Sequence, residues 1–156
     1  MNYSRLLLNL CTMKKNTAKT REQIKDLQKK KLRKIIKYAY NNSEYYHRTF
    51  SDRGINLNNI DTFPISEFPV IDKAVLIENF ESIVTSKDIS QEELRNFDSE
   101  DNRDKKLFKG KYHIVHSSGS TGKPAYFVYD EKAWEYLLIG VIREALWNMS
   151  MPQILK

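Results

Sequence analysis

An eight-residue segment rich in glycine and hydroxyl side chains carries the most recognisable chemistry in this chain. It reads Ser117-Ser118-Gly119-Ser120-Thr121-Gly122-Lys123-Pro124. Glycines allow positive φ angles and let backbone N–H groups approach an anion closely, while the hydroxyls and one ammonium group supply further donors. This set of donors is typical of a loop that holds phosphate groups. The ligand we expect is a nucleoside triphosphate.

The residues on either side of this loop indicate which elements position it. Tyr112-His113-Ile114-Val115 precedes it and Tyr126-Phe127-Val128-Tyr129 follows it, and both runs have the composition of β-strands. The common NTPase loop, G-x-x-x-x-G-K-[ST], has four residues between its glycines and leads directly into a helix. Here only two residues separate Gly119 from Gly122, and Pro124 follows the lysine. The spacing therefore disfavours that loop and predicts a hairpin with the phosphate-holding segment at its tip.

The octapeptide resembles, at all eight positions, the signature loop of the adenylate-forming superfamily, which comprises the acyl- and aryl-CoA ligases and their relatives. The upstream chain looks most like the phenylacetate-coenzyme A ligase branch, which includes proteins named for capsular polysaccharide biosynthesis. Three segments carry that second resemblance: residues 32–46, the Gly54-Ile55 turn and residues 68–73. Together the similar segments run from roughly residue 20 to residue 147, and only the loop identifies the family by itself.

The resemblance implies an ATP-dependent reaction in which a carboxylate attacks the α-phosphate, pyrophosphate leaves, and the acyl-adenylate passes to coenzyme A or another acceptor. Mg²⁺ shares the charge of the phosphates in such a reaction. The loop's hydroxyls, backbone and lysine would hold the β- and γ-phosphates. The resemblance implies that the residues at the nucleotide are Ser117, Ser118, Gly119, Ser120, Thr121, Gly122 and Lys123. No catalytic residue and no protein ligand to a metal follows from the sequence.

The expected fold class is α+β: a mostly helical N-terminal portion of an adenylate-forming large domain, with a β-hairpin carrying the phosphate loop and an incomplete sheet. We expect residues 1–156 to form one such N-terminal fragment and residues 1–20 to be loosely ordered. The segments that hold adenine, ribose and the acyl group come later in proteins of that family and would lie outside this fragment. The chain is then expected to be inactive alone, and its acyl substrate is not encoded here.

The sequence is compatible with two alternatives to an inactive ligase fragment. In the first, a complementing chain supplies the rest of a split ligase. In the second, the chain is a non-enzymatic module whose basic N-terminal helix docks an acidic partner. The first forty residues contain twelve lysines and arginines against two acids. Apolar residues recur there at helical spacing, so we interpret the charges as a solvated helix face, with nucleic acid a less favoured partner.

Composition indicates the cellular setting. The single cysteine, Cys11, has no internal partner for a disulfide, and no Cys/His cluster indicates a metal site. Acidic residues crowd residues 98–104 without the spacing of a calcium loop. No stretch approaches the roughly 20 apolar residues of a membrane helix, and Leu6-Leu7-Leu8 is followed by lysines rather than a cleavage site. These features predict a cytoplasmic location and no membrane span.

Capping signals predict where several helices begin. Ser43, Asp72, Ser90 and Asp130 each precede a run with helical periodicity, and Ser90 is followed by Glu93 at the spacing of a capping box. Three histidines, His47, His113 and His116, lack a carboxylate at a telling sequence spacing. We interpret all three as structural rather than catalytic.

Overall fold

The computed structural model describes residues 3–99, 107–118 and 123–146, with side chains to residue 142. In these residues the protein is mostly helical and α+β-like, with seven α-helices, one 3₁₀ turn and one two-stranded antiparallel hairpin. The helices are α1 (Tyr3–Asn16), α2 (Arg21–Asn42), α3 (Glu44–Ser51), α4 (Lys73–Glu78), α5 (Phe80–Ile83), α6 (Gln91–Asp98) and α7 (Glu131–Leu146), the 3₁₀ turn is Ile65–Glu67, and the strands are β1 (His113–His116) and β2 (Tyr126–Tyr129).

The predicted helix caps are confirmed. The side chains of Ser43, Asp72 and Ser90 accept the N–H bonds that begin α3, α4 and α6, and Ser90 forms the complete capping box with Glu93. The Asp130 carboxylate accepts from the Ala133 N–H at 2.7 Å at the start of α7. Local capping chemistry therefore fixes four of the helix starts.

The chain divides into two compact units, each assembled from separated segments. One contains residues 1–24, 107–114 and 128–156, and the other contains residues 25–106 and 115–127. The sequence shows no linker between two domains because the chain crosses between these units just after the first turn of α2 and in the middle of both strands. The division is thus a property of tertiary contacts.

In the first unit, α1 packs against α7. Residues 1–20 were expected to be loosely ordered, whereas residues 3–16 form α1. The half-buried Leu6, Leu10 and Met13 lie at helical spacing on one face of it. An ion pair adds to this contact, because Arg5 donates from Nε and Nη2 to the Glu135 carboxylate at 2.5 and 2.9 Å. Helical order at this end of the chain therefore arises from a partner far along the sequence.

The second unit has its core where α2 and α3 meet the segment after them. Phe50, Ile55 and Ile60 are buried there, and half-buried aromatic and aliphatic side chains surround them, namely Ile36, Tyr40, Tyr46, Phe63 and Phe68. Gly54, at φ +72°, reverses the chain after α3, so that the Ile55 N–H reaches the Phe50 carbonyl at 2.9 Å. The Gly54-Ile55 turn thus directs the chain into the core.

Candidate functional site

The glycine and hydroxyl loop connects the two strands of the hairpin, as the sequence predicts. β1 ends at His116 and β2 begins at Tyr126, and α7 begins only after β2. The loop therefore lies between two strands and does not lead directly into a helix. This arrangement differs from the strand-to-helix context of the common NTPase loop and agrees with the hairpin expected from Pro124 and the residues after it.

Two hydrogen bonds close the base of the loop. The Ser117 N–H donates to the Ala125 carbonyl at 3.0 Å, and the Ala125 N–H donates to Ser117 Oγ at 3.0 Å. Ala125 is buried at 2% exposure, which holds one side of this closure inside the unit. The Ser117 hydroxyl accepts here and keeps its own hydrogen for another acceptor. Ser117 therefore fixes the width of the loop's base.

The described ends of the loop carry two of the other predicted nucleotide-binding residues. Ser118 and Lys123 are exposed, on either side of the loop. An exposed hydroxyl and an exposed ammonium are donors that suit phosphate oxygens. The remaining predicted residues, Gly119, Ser120, Thr121 and Gly122, lie outside the described residues.

A cluster of polar side chains adjoins the base of the loop, and sequence spacing did not reveal it. His116 Nε2 lies 3.4 Å from Asp98 Oδ1, and the Tyr126 hydroxyl donates to Asp98 Oδ2 at 3.3 Å. Asp98 ends α6, so one carboxylate links that helix to both strands. Burial, followed by the Asp98 charge, raises the pKa of Tyr126. No local motif indicates this cluster, because α6 and β1 are distant in sequence.

The other two histidines have structural surroundings. The His113 ring stacks on Trp134 of α7, with ring centroids 4.4 Å apart and planes 9° apart. Burial lowers the pKa of His113, since loss of water disfavours the imidazolium. The His47 ring lies 4.4 Å from Tyr40, and its Nδ1 lies 3.1 Å from the Tyr40 carbonyl oxygen. Both side chains are engaged in ring packing, as expected from the sequence.

A cavity of about 440 Å³ adjoins the His113–Trp134 stack in the first unit. Lys111, Glu131 and Glu135 also line it. Glu135 is 1% exposed and engaged by Arg5, so its charge is already compensated. The two carboxylates in the lining therefore contribute to the contact between α1 and α7, because both pair with Arg5.

A basic groove of about 660 Å³ runs along α2 in the second unit. We define the basic groove by its lining residues, which are Asp26, Lys29, Lys30, Arg33, Lys34, Lys37 and Asp61. Lys37 forms an ion pair with Asp61, whereas Lys29, Lys30 and Lys34 form none with any residue that the structure describes. The lining carries five positive and two negative side chains. It is therefore an electropositive surface.

Arg33 lines the basic groove but is buried. The sequence had predicted that the basic face of this helix is solvated. The Arg33 side chain donates from Nη1 to the Ile60 carbonyl at 2.7 Å and from Nη2 to the Phe63 carbonyl at 2.6 Å. The guanidinium lies over the Phe68 ring at 5.7 Å. Arg33 thus joins α2 to the core, while its lysine neighbours remain exposed.

No metal-binding group was found in the described part of the chain. No set of three or more His, Cys, Asp or Glu side chains there could hold a metal ion. Of the acidic side chains in residues 98–104, only Asp98 falls within the described ranges. Among the described helices, none is long and apolar enough to cross a membrane.

Comparisons with protein-family models, with curated proteins and with solved structures found no match to this chain. The resemblance to adenylate-forming ligases therefore depends on the residues of the loop and the upstream segments themselves.

Proposed function

We propose that this chain belongs to a carboxylate-activating, adenylate-forming ligase and that its hairpin loop binds the β- and γ-phosphates of ATP. The observation that supports this best is the position of the octapeptide, between two antiparallel strands with its base closed by Ser117 and Ala125. A closed base reduces the conformations open to the loop, and therefore the entropy lost when it orders around an anion. In this proposal, the chain forms the mostly helical N-terminal portion of the large adenylating domain.

In the proposed reaction a carboxylate oxygen attacks the α-phosphorus, the bond to the bridging oxygen breaks, and pyrophosphate leaves. The loop supplies binding and charge neutralisation for that leaving group. Lys123 brings positive charge, and the hydroxyls and backbone N–H groups donate hydrogen bonds. The described donors are hydroxyls and an ammonium, which can donate hydrogen bonds to phosphate oxygens. Mg²⁺, when bound, supplies further charge neutralisation at the phosphate oxygens.

Formation of the acyl-adenylate requires more residues than those of this loop. In the family, the adenine, ribose and acyl sites and a C-terminal lysine come from segments later than those resembled here. We propose that a complementing polypeptide or a longer chain supplies them, that coenzyme A or another nucleophile then accepts the acyl group, and that residues 1–156 alone bind phosphate without forming an adenylate. The proposed location is the cytoplasm, where ATP and coenzyme A are present.

The test is calorimetric titration of the purified chain with ATP and with pyrophosphate, each with and without Mg²⁺. We expect Lys123→Ala to weaken pyrophosphate binding about tenfold or more, the loss expected for one charge-assisted hydrogen bond. Lys132→Ala removes an equal charge from an exposed position on α7 and serves as the control. If the folded wild-type chain binds neither ligand at millimolar concentration, or if both variants bind alike, the proposal fails.

The basic groove favours a second candidate function, docking of an acidic protein segment. Its exposed lysines Lys29, Lys30 and Lys34 follow one face of α2, which rises about 1.5 Å per residue. No aromatic side chain lines the groove, so it offers no surface for stacking nucleic-acid bases. An extended run of carboxylates matches such a surface by charge alone.

Fluorescence anisotropy with a labelled polyglutamate peptide tests this second candidate. We expect binding that weakens steeply between 50 and 200 mM salt. The variant with Lys29, Lys30 and Lys34 all changed to Glu should lose it. The same charge change at Lys14, Lys15 and Lys19, which are also exposed, is the control. Equal loss in both variants would show that net charge, and not the basic groove, governs binding. Tighter binding of a single-stranded oligonucleotide would favour nucleic acid instead.

A further inference from the structure

α2 presents one side to the core of the second unit and a different side outward. Arg33, Ile36 and Tyr40 lie on the core side. The outward side is formed by residues at i, i+3, i+4 and i+7 spacing, which lie together on a helix, and by one neighbour. We define the outer face of α2 by these residues, which are Lys31, Leu32, Lys34, Ile35 and Tyr38.

The apolar side chains of the outer face are largely exposed. Ile35 is 65% exposed, Tyr38 57% and Leu32 36%. None of the three lines the basic groove, so they belong to the convex side of the helix. Single exposed apolar side chains are common on protein surfaces, whereas adjacent ones on one face indicate a contact surface. The outer face therefore favours contact with a partner.

The two lysines give the outer face a positive charge. Lys31 and Lys34 are exposed and form no ion pair with any residue that the structure describes. The acids of α2, Glu22 and Asp26, precede Lys31 by more than one helical turn. An anionic partner is therefore complementary in charge to this face.

A lipid surface suits this combination of side chains better than a protein does. Lysine is depleted from the cores of protein interfaces, and a convex helix offers a protein partner no pocket to fill. At an anionic membrane, an ammonium group stays hydrated beside the headgroups while its alkyl chain lies along apolar surface. Aliphatic side chains reach the acyl boundary there, and a tyrosine ring lies at the headgroup level with its hydroxyl toward water. Each side chain of the outer face then has a suitable environment.

We propose that the outer face of α2 binds an anionic lipid surface. Its three apolar side chains enter the headgroup layer, and its two ammonium groups pair with the anions there. The helix lies along the surface and does not cross it. Lipid binding at this face does not depend on phosphate binding by the hairpin loop.

Flotation of the purified chain with lipid vesicles tests the proposal. The vesicles are phosphatidylcholine alone or phosphatidylcholine with about 30% phosphatidylserine as the anionic lipid. We expect the wild-type chain to bind the anionic vesicles at least about tenfold more strongly, and to lose this preference as added salt screens the charges. Absence of binding to the anionic vesicles, or equal binding to both compositions, would overturn the proposal.

Changes to the apolar side chains separate the outer face from general hydrophobicity. Ile35→Ser with Tyr38→Ser should weaken binding to anionic vesicles about tenfold or more, because the inserted apolar area is lost. Leu57→Ser with Ile65→Ser is the control, since both side chains are about half-exposed in the same unit and no lysine lies between residues 37 and 73. Equal weakening in these two variants would contradict the proposal.

Changes to the lysines separate the outer face from net charge. Lys31→Glu with Lys34→Glu should weaken binding to anionic vesicles about tenfold or more. The same charge change at Lys14 and Lys15, which are exposed on α1, should have a smaller effect. Equal losses would show that net charge governs binding and would refute the assignment to the outer face.

A tryptophan probe reports insertion at the outer face directly. In Ile35→Trp we expect the fluorescence emission to shift to shorter wavelength when anionic vesicles are added, beyond the shift of the wild-type chain. Leu57→Trp, at the control position, should show no additional shift. Vesicle binding by Ile35→Trp without the additional shift would show that another surface of the chain contacts the lipid, which excludes the proposed one.

The labelled polyglutamate peptide distinguishes an acidic protein from a lipid as the partner. We expect Ile35→Ser with Tyr38→Ser to bind the peptide as the wild-type chain does, because the lining of the basic groove is unchanged. Loss of peptide binding in this variant, with no binding of vesicles by the wild-type chain, would assign the outer face to an acidic protein segment instead.

Discussion

At the scale of single residues, burial decides which charges have a structural role. Arg33 and Lys34 are neighbours on α2, yet only Arg33 is buried, with two backbone carbonyls as its acceptors. Its Nε has no hydrogen-bond partner among the described residues. In the sequence both residues belong to one basic run. Only Arg33 is buried because the segment after α3 packs against it and supplies the Ile60 and Phe63 carbonyls.

We predict that Arg33→Met destabilises the second unit by about 3 kcal/mol, because the Ile60 and Phe63 carbonyls lose their charged donor. Lys34→Met, one position along, should change the free energy of unfolding by less than about 0.5 kcal/mol. Urea denaturation of both variants measures this difference. Equal midpoints would mean that water replaces the guanidinium at both carbonyls.

His113 predicts a pH dependence of stability. Burial lowers its pKa in the folded chain below the ordinary value of about 6.5, so the unfolded chain binds more protons at acid pH. The stability contributed by neutral His113 is complete above that value and is lost as pH falls toward the lowered pKa. His113→Phe can keep the stack on Trp134 without titrating. We therefore expect the wild-type chain to lose more stability than this variant between pH 7.5 and pH 5.5 in urea denaturation.

At the scale of helices and strands, side-chain caps start the short helices, and some caps also connect elements. Ser43 begins α3, where its hydroxyl accepts from the Tyr46 N–H at 3.3 Å and donates to the Ser82 carbonyl at 2.9 Å. Ser43 is 1% exposed, whereas Ser90, which caps α6, is half-buried. The two serines look alike in sequence, but only Ser43 serves two elements.

We predict that Ser43→Ala costs about 2 kcal/mol, since it removes a cap and leaves the Ser82 carbonyl without its donor. Ser90→Ala should cost about 1 kcal/mol, the usual value for an N-cap. Thermal unfolding followed by circular dichroism compares the two variants. A larger loss for Ser90→Ala would contradict the connection between Ser43 and α5.

At the scale of the whole molecule, each compact unit is assembled from segments far apart in the chain. Arg5 on α1 and Glu135 on α7 are 130 residues apart and form a two-point ion pair. The Glu135 carboxylate raises the pKa of Arg5 through this hydrogen bond. A buried carboxylate with a charged partner is costly to leave unpaired.

We predict that Arg5→Ala destabilises the contact between α1 and α7 more than the double change Arg5→Ala with Glu135→Gln. The single variant removes the Arg5 cation while the Glu135 charge stays buried, whereas the double variant removes that charge as well. Release of α1 is measured by the rate of limited proteolysis at Lys14 and Lys15, in the last turn of that helix. Faster cleavage of the double variant would show that Arg5 does not supply the main compensation for the Glu135 charge.

Much of the secondary structure followed from the sequence alone, because its signals are local. Ser43, Asp72, Ser90 and Asp130 lie one residue before the helices they begin, and the two β-prone runs around the octapeptide form the hairpin. Hydrogen bonds of capping side chains and alternation in strands act over a few residues, so the chain encodes them in short patterns. The loop's position at the hairpin tip was predictable for the same reason.

Tertiary structure alone decided the features that depend on distant segments. It ordered α1 through Arg5 and Glu135, buried Arg33 beneath two carbonyls, and brought Asp98 to His116 and Tyr126 at the base of the loop. The energy of such contacts depends on which side chains lose water together, and local sequence does not record this. The sequence determined the loop and the elements that bear it, and the fold determined the polar cluster at the loop's base.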